Sequence, residues 1–413
     1  MNDPTLDTTA AFLRDLGRAL HLCGAPAHDL EATLVAVGKR LGVRVEGFAV
    51  LTFLALTVVA PGGARRVELL RLPPYDYNMA RLIELQQLVD MIDQPSCLGD
   101  YIARLEGIMR MSPPWSGWSL AGMGFLLSGA VAVLLRGGWL EMLCGGLIGM
   151  LFMAAHQQLG KVRGIGPAVP VILCALAAML AQGLGVLLPQ QSPFISALAG
   201  VVLLLPGFML TVAMSELATQ NFLAGSSRLA GAFMLLFLIG GGLVIGTQIS
   251  LQILPPQLAS LPTPLPGWVT WPAIALLGVS LLGVIQAPLS SLLVSVAACL
   301  LAWATYTLVG SALGPIVGAF AGALMVGSAG HVYHALRRRP AVLVQIPGLI
   351  TLVPGSMGFR GLHALMQQDS QIGIGLLTEM ILTGAVLAVG MLLADNLVPY
   401  LISSLRPDRK PTA

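Results

Sequence analysis

From Ser119 to Leu397 the chain is a run of apolar stretches cut by short polar or Pro/Gly punctuation, each near the roughly 20 residues that a helix needs to cross a bilayer. Ten such stretches are read near residues 119–135, 139–156, 168–188, 194–215, 228–249, 271–286, 289–308, 312–333, 342–366 and 372–397. Hydrocarbon offers no water to satisfy backbone N–H and C=O groups, so stretches of this kind fold as helices. Only 10% of residues are charged while 56% are hydrophobic, and 48 glycines allow close helix packing. The weakest boundary is Gln286-Ala287-Pro288, where two stretches would merge and leave nine.

Charge divides the chain. Eleven of the 22 Lys and Arg and thirteen of the 19 Asp and Glu precede residue 115. The expected organisation is therefore a cytoplasmic α/β domain (1–115), two five-helix membrane modules (116–252 and 268–405) and a basic cytoplasmic tail (406–413). The start Met1-Asn2-Asp3-Pro4 lacks a basic, then apolar, leader, so the first domain is expected to stay in the cytoplasm. In that domain, periodicity predicts helices near 8–23, 28–41, 79–92 and 98–111, and a hairpin of Phe48–Val59 with Val67–Leu72 around Pro61-Gly62-Gly63. His21, His28, Asp29 and Glu31 cluster at the Gly24-Ala25-Pro26 turn, where they read as helix ends and caps rather than an acid-base or metal site. Five scattered cysteines form no Cys-x-x-Cys pair, and no basic cluster interleaved with aromatics points to nucleic acid. No cofactor motif is present.

Two apolar stretches are each broken by a Pro-Gly pair, Pro206-Gly207 and Pro354-Gly355, 148 positions apart. Gly166-Pro167 and Gly314-Pro315 keep the same offset, which suggests an internal duplication. With five crossings per half the second copy enters the membrane inverted, and paired broken helices in two inverted halves point to a transport site near the midplane. The basic residues favour ten crossings with both termini inside: Lys161, Arg163, Arg228, Arg337–Arg339, Arg406, Arg409 and Lys410 fall on one side, and Arg136 alone on the other. Pro347-Gly348 adds a second break to the ninth stretch, whose backbone is not expected to stay helical. Half-helices starting after Pro206-Gly207 and Pro354-Gly355 would aim N–H groups at a substrate carboxylate, with Thr211, Ser215, Ser356 and Arg360 as further polar contacts.

Ionisable groups at membrane depth are costly and mark function. Glu379 is the clearest, as a proton carrier or an ion-pair partner of Arg360. His363 is a second proton-coupling candidate. Glu216 is a third, although Glu216 and Arg228 also read as interfacial side chains that snorkel; Glu141, His156 and Asp395 read as interfacial.

Leu20-His21-Leu22-Cys23-Gly24-Ala25, Glu31 and Leu41-Gly42-Val43 resemble the start of the bacterial threonine/serine exporter family. Leu205-Pro206-Gly207 with Ser226-Ser227-Arg228-Leu229 resembles the end of its first membrane module. Pro347-Gly348-Leu349-Ile350 through Gly358-Phe359-Arg360-Gly361-Leu362 resembles its second. The resemblance implies a secondary transporter of the inner membrane, exporting threonine or serine by the proton gradient, in a form that fuses both modules. Split relatives linked to succinate make a dicarboxylate the alternative substrate. The expected partners are a small amino acid, protons, membrane lipid and a possible second copy. A rival of another class, a membrane-anchored enzyme or sensor acting through residues 8–111, has no nucleophile–base set or phosphate loop behind it.

Overall fold

The computed structural model describes residues 4–73, 77–159, 166–255, 262–352, 355–366 and 369–404, divided into two units. The first runs to Pro114 and includes Ile285–Pro288; the second holds the rest.

The first unit is built from α1 (Pro4–Leu22), α2 (Ala27–Arg40), β1 (Arg44–Val50), β2 (Phe53–Val59), β3 (Arg65–Arg71), α3 (Met79–Met91) and α4 (Leu98–Arg110). Leu13, Leu16 and Leu20 of α1 and Leu30, Leu34 and Val37 of α2 recur at helical spacing and are buried. They meet Leu54, Leu56 and Val58, the inward positions of β2. Gly24, at φ +86°, closes α1 in the left-handed conformation that suits glycine after a helix. The expected hairpin is a three-stranded antiparallel meander, β1-β2-β3. The chain reverses at Leu51-Thr52, with Val50 opposite Phe53, so Phe48–Val59 is two strands and not one. That turn contains no Gly, Asn, Asp or Pro, and therefore left no signal in the sequence. His21 bonds the Pro73 carbonyl through Nε2 (3.0 Å), and the Glu31 carboxylate accepts from the Ala49 N–H (2.7 Å). Both side chains thus tie helices to the segments beside them. The His28 side chain lies outside the described residues.

The second unit contains α5 (Gly117–Leu134), α6 (Trp139–Leu159), α7 (Val169–Leu187), α8 (Pro193–Gly200), α9 (Gly207–Ala218) and α10 (Phe222–Ile253). It continues with α11 (Thr270–Val284), α12 (Leu292–Leu313), α13 (Pro315–Arg337), α14 (Val342–Leu352), α15 (Gly355–Met366) and α16 (Ser370–Ser404). Among the described residues, eight helices are long and apolar enough to cross a membrane, and the α8–α9 pair, bent by 53°, makes a ninth. The α11 and α12 helices are separate, which resolves the weak boundary at Gln286-Ala287-Pro288. The ninth stretch of the sequence corresponds to α14 and α15, between which Val353 and Pro354 lie outside the described residues, as does the tail from residue 405.

The expectation of a break at Pro347-Gly348 is wrong. The α14 helix runs through both residues. Proline withholds one N–H and crowds the preceding turn, yet the Pro347 carbonyl is well used, accepting from Thr351 Oγ1 (2.9 Å) and Cys299 Sγ (3.5 Å). Gly348 is a packing residue: a Cβ there would stand 2.5 Å from Val326 Cγ1 on α13.

Helix starts keep the 148-residue offset, α9 and α15 at Gly207 and Gly355, α10 and α16 at Phe222 and Ser370. Each of these two short helices packs on the long helix that follows it and also on the long helix of the other half, α9 on α16 and α15 on α10. Leu210, Leu236 and Met380 form the buried centre of that seam, with Phe233, Met357 and Leu377 around them.

Candidate functional site at the broken helices

Leu205 is extended (φ −61°, ψ 120°), and α9 begins two residues later with Pro206 at its N-cap. No side chain caps this end, so the first N–H groups of α9 lack the usual Ser, Thr, Asp or Asn oxygen. Pro206 and Gly207 are buried. They line a cavity with Leu210 of α9, Ala232, Phe233 and Leu236 of α10, and Met380 of α16. Its volume is about 10 Å³, the size of one water and far below that of an amino acid. The walls are apolar; the polarity of the place comes from the end of α9. One turn further on, Thr211 is buried and donates to the Gly207 carbonyl (3.3 Å), and Ser215 is half-buried.

The residues expected around the second break are only partly gathered. Arg360 is exposed on α15, and Glu379 is half-buried on α16 beside Met380 in sequence. No ion pair joins Arg360 to Glu379 among the described residues, so that expected partnership is absent. Gly358 of α15 does reach the seam, its Cα backing onto Met380 and Leu236. Pro354 and the side chains of Ser356 and His363 lie outside the described residues.

The interfacial reading of Glu216 and Arg228 is overturned. Arg228 donates through Nε (2.9 Å) and a terminal nitrogen (2.8 Å) to the two Glu216 oxygens, and the side chains are only 7% and 3% exposed. This bidentate pair joins the last turn of α9 to the start of α10. An acid at a helix C-terminus and a base near an N-terminus both oppose the helix dipoles, so each charge depends on the other.

Glu141 is also misplaced by the sequence. It is 2% exposed and accepts from the N–H groups of Gly138 (2.7 Å) and Ser192 (2.6 Å), pinning the start of α6 to the entry of α8. Gln191, equally buried, bonds the Ala181 carbonyl and the Ser196 hydroxyl. The long-range contact, Glu141 with the Ser192 N–H across 51 residues, had no spacing signal in the sequence. Asp395 is not a free interfacial carboxylate either, since His331 Nε2 lies 2.7 Å from its Oδ1.

Two family models cover this architecture. One described as "Putative threonine/serine exporter" matches residues 11–250, and one described as "Threonine/Serine exporter, ThrE" matches residues 269–397. The chain belongs to the threonine/serine exporter family. That family is one of membrane transporters, not enzymes, and with eight or more apolar helices this member is a multi-pass inner-membrane protein. A "Threonine/serine exporter" of Corynebacterium glutamicum is 25% identical over 340 residues, 78% of this chain and 67% of the relative. A "Probable threonine/serine exporter" of Mycobacterium tuberculosis is 28% identical over 354 residues, 80% of this chain and 64% of the relative. The chain thus spans about two thirds of the length of these exporters. A "Pheromone-regulated membrane protein 10" of Candida albicans is 25% identical over 255 residues, 58% of this chain and 22% of that protein. No solved structure matches.

Proposed function

We propose that this member of the exporter family moves threonine and serine out of the cytoplasm by proton-coupled alternating access between two inverted five-helix repeats. The observation that carries the reading is the uncapped, buried start of α9 at the seam where each half's short helix meets the other half's long one. A half-helix N-terminus in apolar surroundings favours a carboxylate and offers it N–H donors. In this reading the substrate carboxylate meets the helix starts at Pro206-Gly207 and Pro354-Gly355, with Thr211, Ser215, Ser356 and Arg360 completing its polar shell. A cavity of about 10 Å³ is a closed state, so binding requires α9 to part from α10 and α16. Separation of these helices towards one face and then the other is the alternating motion. In this reading both termini lie in the cytoplasm, and the bias of basic residues supports that orientation.

Glu379 and His363 are the proposed coupling groups on the α15–α16 side. Glu216 is dropped as a free proton carrier, because Arg228 holds both of its oxygens. The deciding experiment is export of labelled threonine, serine, alanine and succinate from proteoliposomes of the full chain under an imposed pH gradient. Threonine and serine should move, with the gradient raising their rate, and Glu379→Gln should lose the gradient response while remaining folded. Succinate transport without threonine transport would overturn the substrate assignment.

A further inference from the structure

The second half holds a polar cluster that the helix breaks do not use. Gly327 and Gly330 allow α13 unusually close to its neighbours: a Cβ on Gly327 would stand 2.5 Å from Ala394 Cβ on α16, and one on Gly330 would stand 2.8 Å from Gln345 Cγ on α14. This approach sets Asp395, the residue after Ala394, against His331, the residue after Gly330. His331 Nε2 and Asp395 Oδ1 are 2.7 Å apart, and Gln345 Nε2 donates to the same oxygen at 3.4 Å. Three helices therefore converge on one carboxylate oxygen. The side chains of His331 and Asp395 are 21% and 39% exposed, so the pair is only partly enclosed by the helices. The residues 148 positions earlier are Gly183, Thr247 and Ala197, so the first half has no equivalent.

We propose that His331 and Asp395, steadied by Gln345, bind and release the transported proton at the end of the membrane unit marked by Arg337–Arg339. Imidazole is the side chain whose ordinary titration spans neutral pH, and ionisable pairs between membrane helices commonly serve as proton stations. The step is one proton onto the free imidazole, giving imidazolium beside a carboxylate, and the same proton returned to water. A metal is a poorer occupant, because no third His, Cys, Asp or Glu joins the cluster among the described residues. The other ionisable groups near this end are engaged elsewhere or stand along the helices. His334 bonds the Arg339 carbonyl, Arg339 donates to Ser290, and Cys299 of α12 contacts Pro347. Tyr333 and Arg337 follow on α13 with Arg338 just beyond its end, α14 has no ionisable residue, and on α16 the nearest are Tyr400 and Glu379. Glu379 lies 16 residues from Asp395, about 24 Å along a helix at 1.5 Å per residue. That is most of the roughly 30 Å hydrocarbon thickness, so the two sites would serve opposite faces.

The inference rests on the proton-coupled reading above, and the test separates the two. Full-length protein in proteoliposomes is assayed for labelled threonine accumulation under a one-unit pH gradient, and for threonine–threonine exchange without a gradient. One coupled proton supports up to about tenfold accumulation per pH unit. In His331→Gln and Asp395→Asn that ratio should fall to about one, with exchange kept within about twofold, and Asp395→Glu should restore part of it. The pH profile of the driven rate should flatten in His331→Gln. If wild type itself ignores the gradient, proton coupling fails and this site fails with it. If wild type responds and His331→Gln responds equally with an unchanged profile, this site alone is wrong. Equal loss of exchange and accumulation in all three variants would mean a structural pair, and would overturn the assignment.

Discussion

Removing Arg228 should be among the most damaging single changes in the membrane unit. The Glu216–Arg228 pair is bidentate, at 2.8 and 2.9 Å, and so little exposed that solvent screening does not reduce its worth. Arg228→Met would leave the Glu216 carboxylate buried, without a cation, and at the C-terminal end of α9, where the helix dipole is negative. Breaking a buried pair from one side costs about 3–5 kcal/mol, most of it the desolvation of the charge left behind. The mirror change, Glu216→Leu, should cost a similar about 3–5 kcal/mol, because it strands the guanidinium near the positive end of α10. The double variant Glu216→Leu/Arg228→Met buries no charge and should recover most of the loss, since well-packed apolar replacements of buried pairs are often neutral or better. Equilibrium unfolding of the purified protein in mixed micelles, run as a double-mutant cycle, measures all three. If the double variant is as unstable as the sum of the single ones, the charges are not compensating each other. If either single change is neutral, the pair is not buried as described.

Two further outcomes check other parts of the molecule. Gly348→Leu should destabilise by about 1–3 kcal/mol or more, because the side chain must enter space held by Val326. Pro347→Ala should leave transport intact, since the helix already continues through that residue; loss of transport would restore the idea of a functional break there. In the first unit, burial pushes the Cys23 thiol up to about 11 from 9.0. The folded state therefore keeps the neutral thiol across the range where an unfolded chain forms thiolate. Site-resolved maleimide labelling of Cys23 near pH 8 should be about a hundredfold slower in the native protein than after denaturation, rising as pH approaches 11.

Much of the fold was legible because its causes are local. Helical periodicity placed α1 to α4 within a few residues, and apolar length picked out the membrane helices, since each depends on short stretches and their own solvent. The Pro206-Gly207 break was visible because proline cannot donate and glycine resists regular structure, and α9 starts at Gly207, directly after that proline. The Pro347 break was misread because the same local rule holds only when neighbours do not oppose it. There, Val326 packs against Gly348, and Thr351 and Cys299 donate to the Pro347 carbonyl.

The ionic partnerships escaped the sequence for a different reason. Glu216 and Arg228 are 12 residues apart, His331 and Asp395 are 64 apart, and Glu141 meets Ser192 across 51. No periodicity links such positions, and a charge near the end of an apolar stretch looks the same whether it snorkels to water or turns inward. The sequence alone determined that this is a polytopic helical membrane protein with a polar first domain and two broken helices at a fixed offset, because hydrophobicity and backbone chemistry act locally. Only the tertiary structure decided which charges are buried and with whom, because a buried charge is tolerated only where the fold brings it an opposite charge or N–H donors.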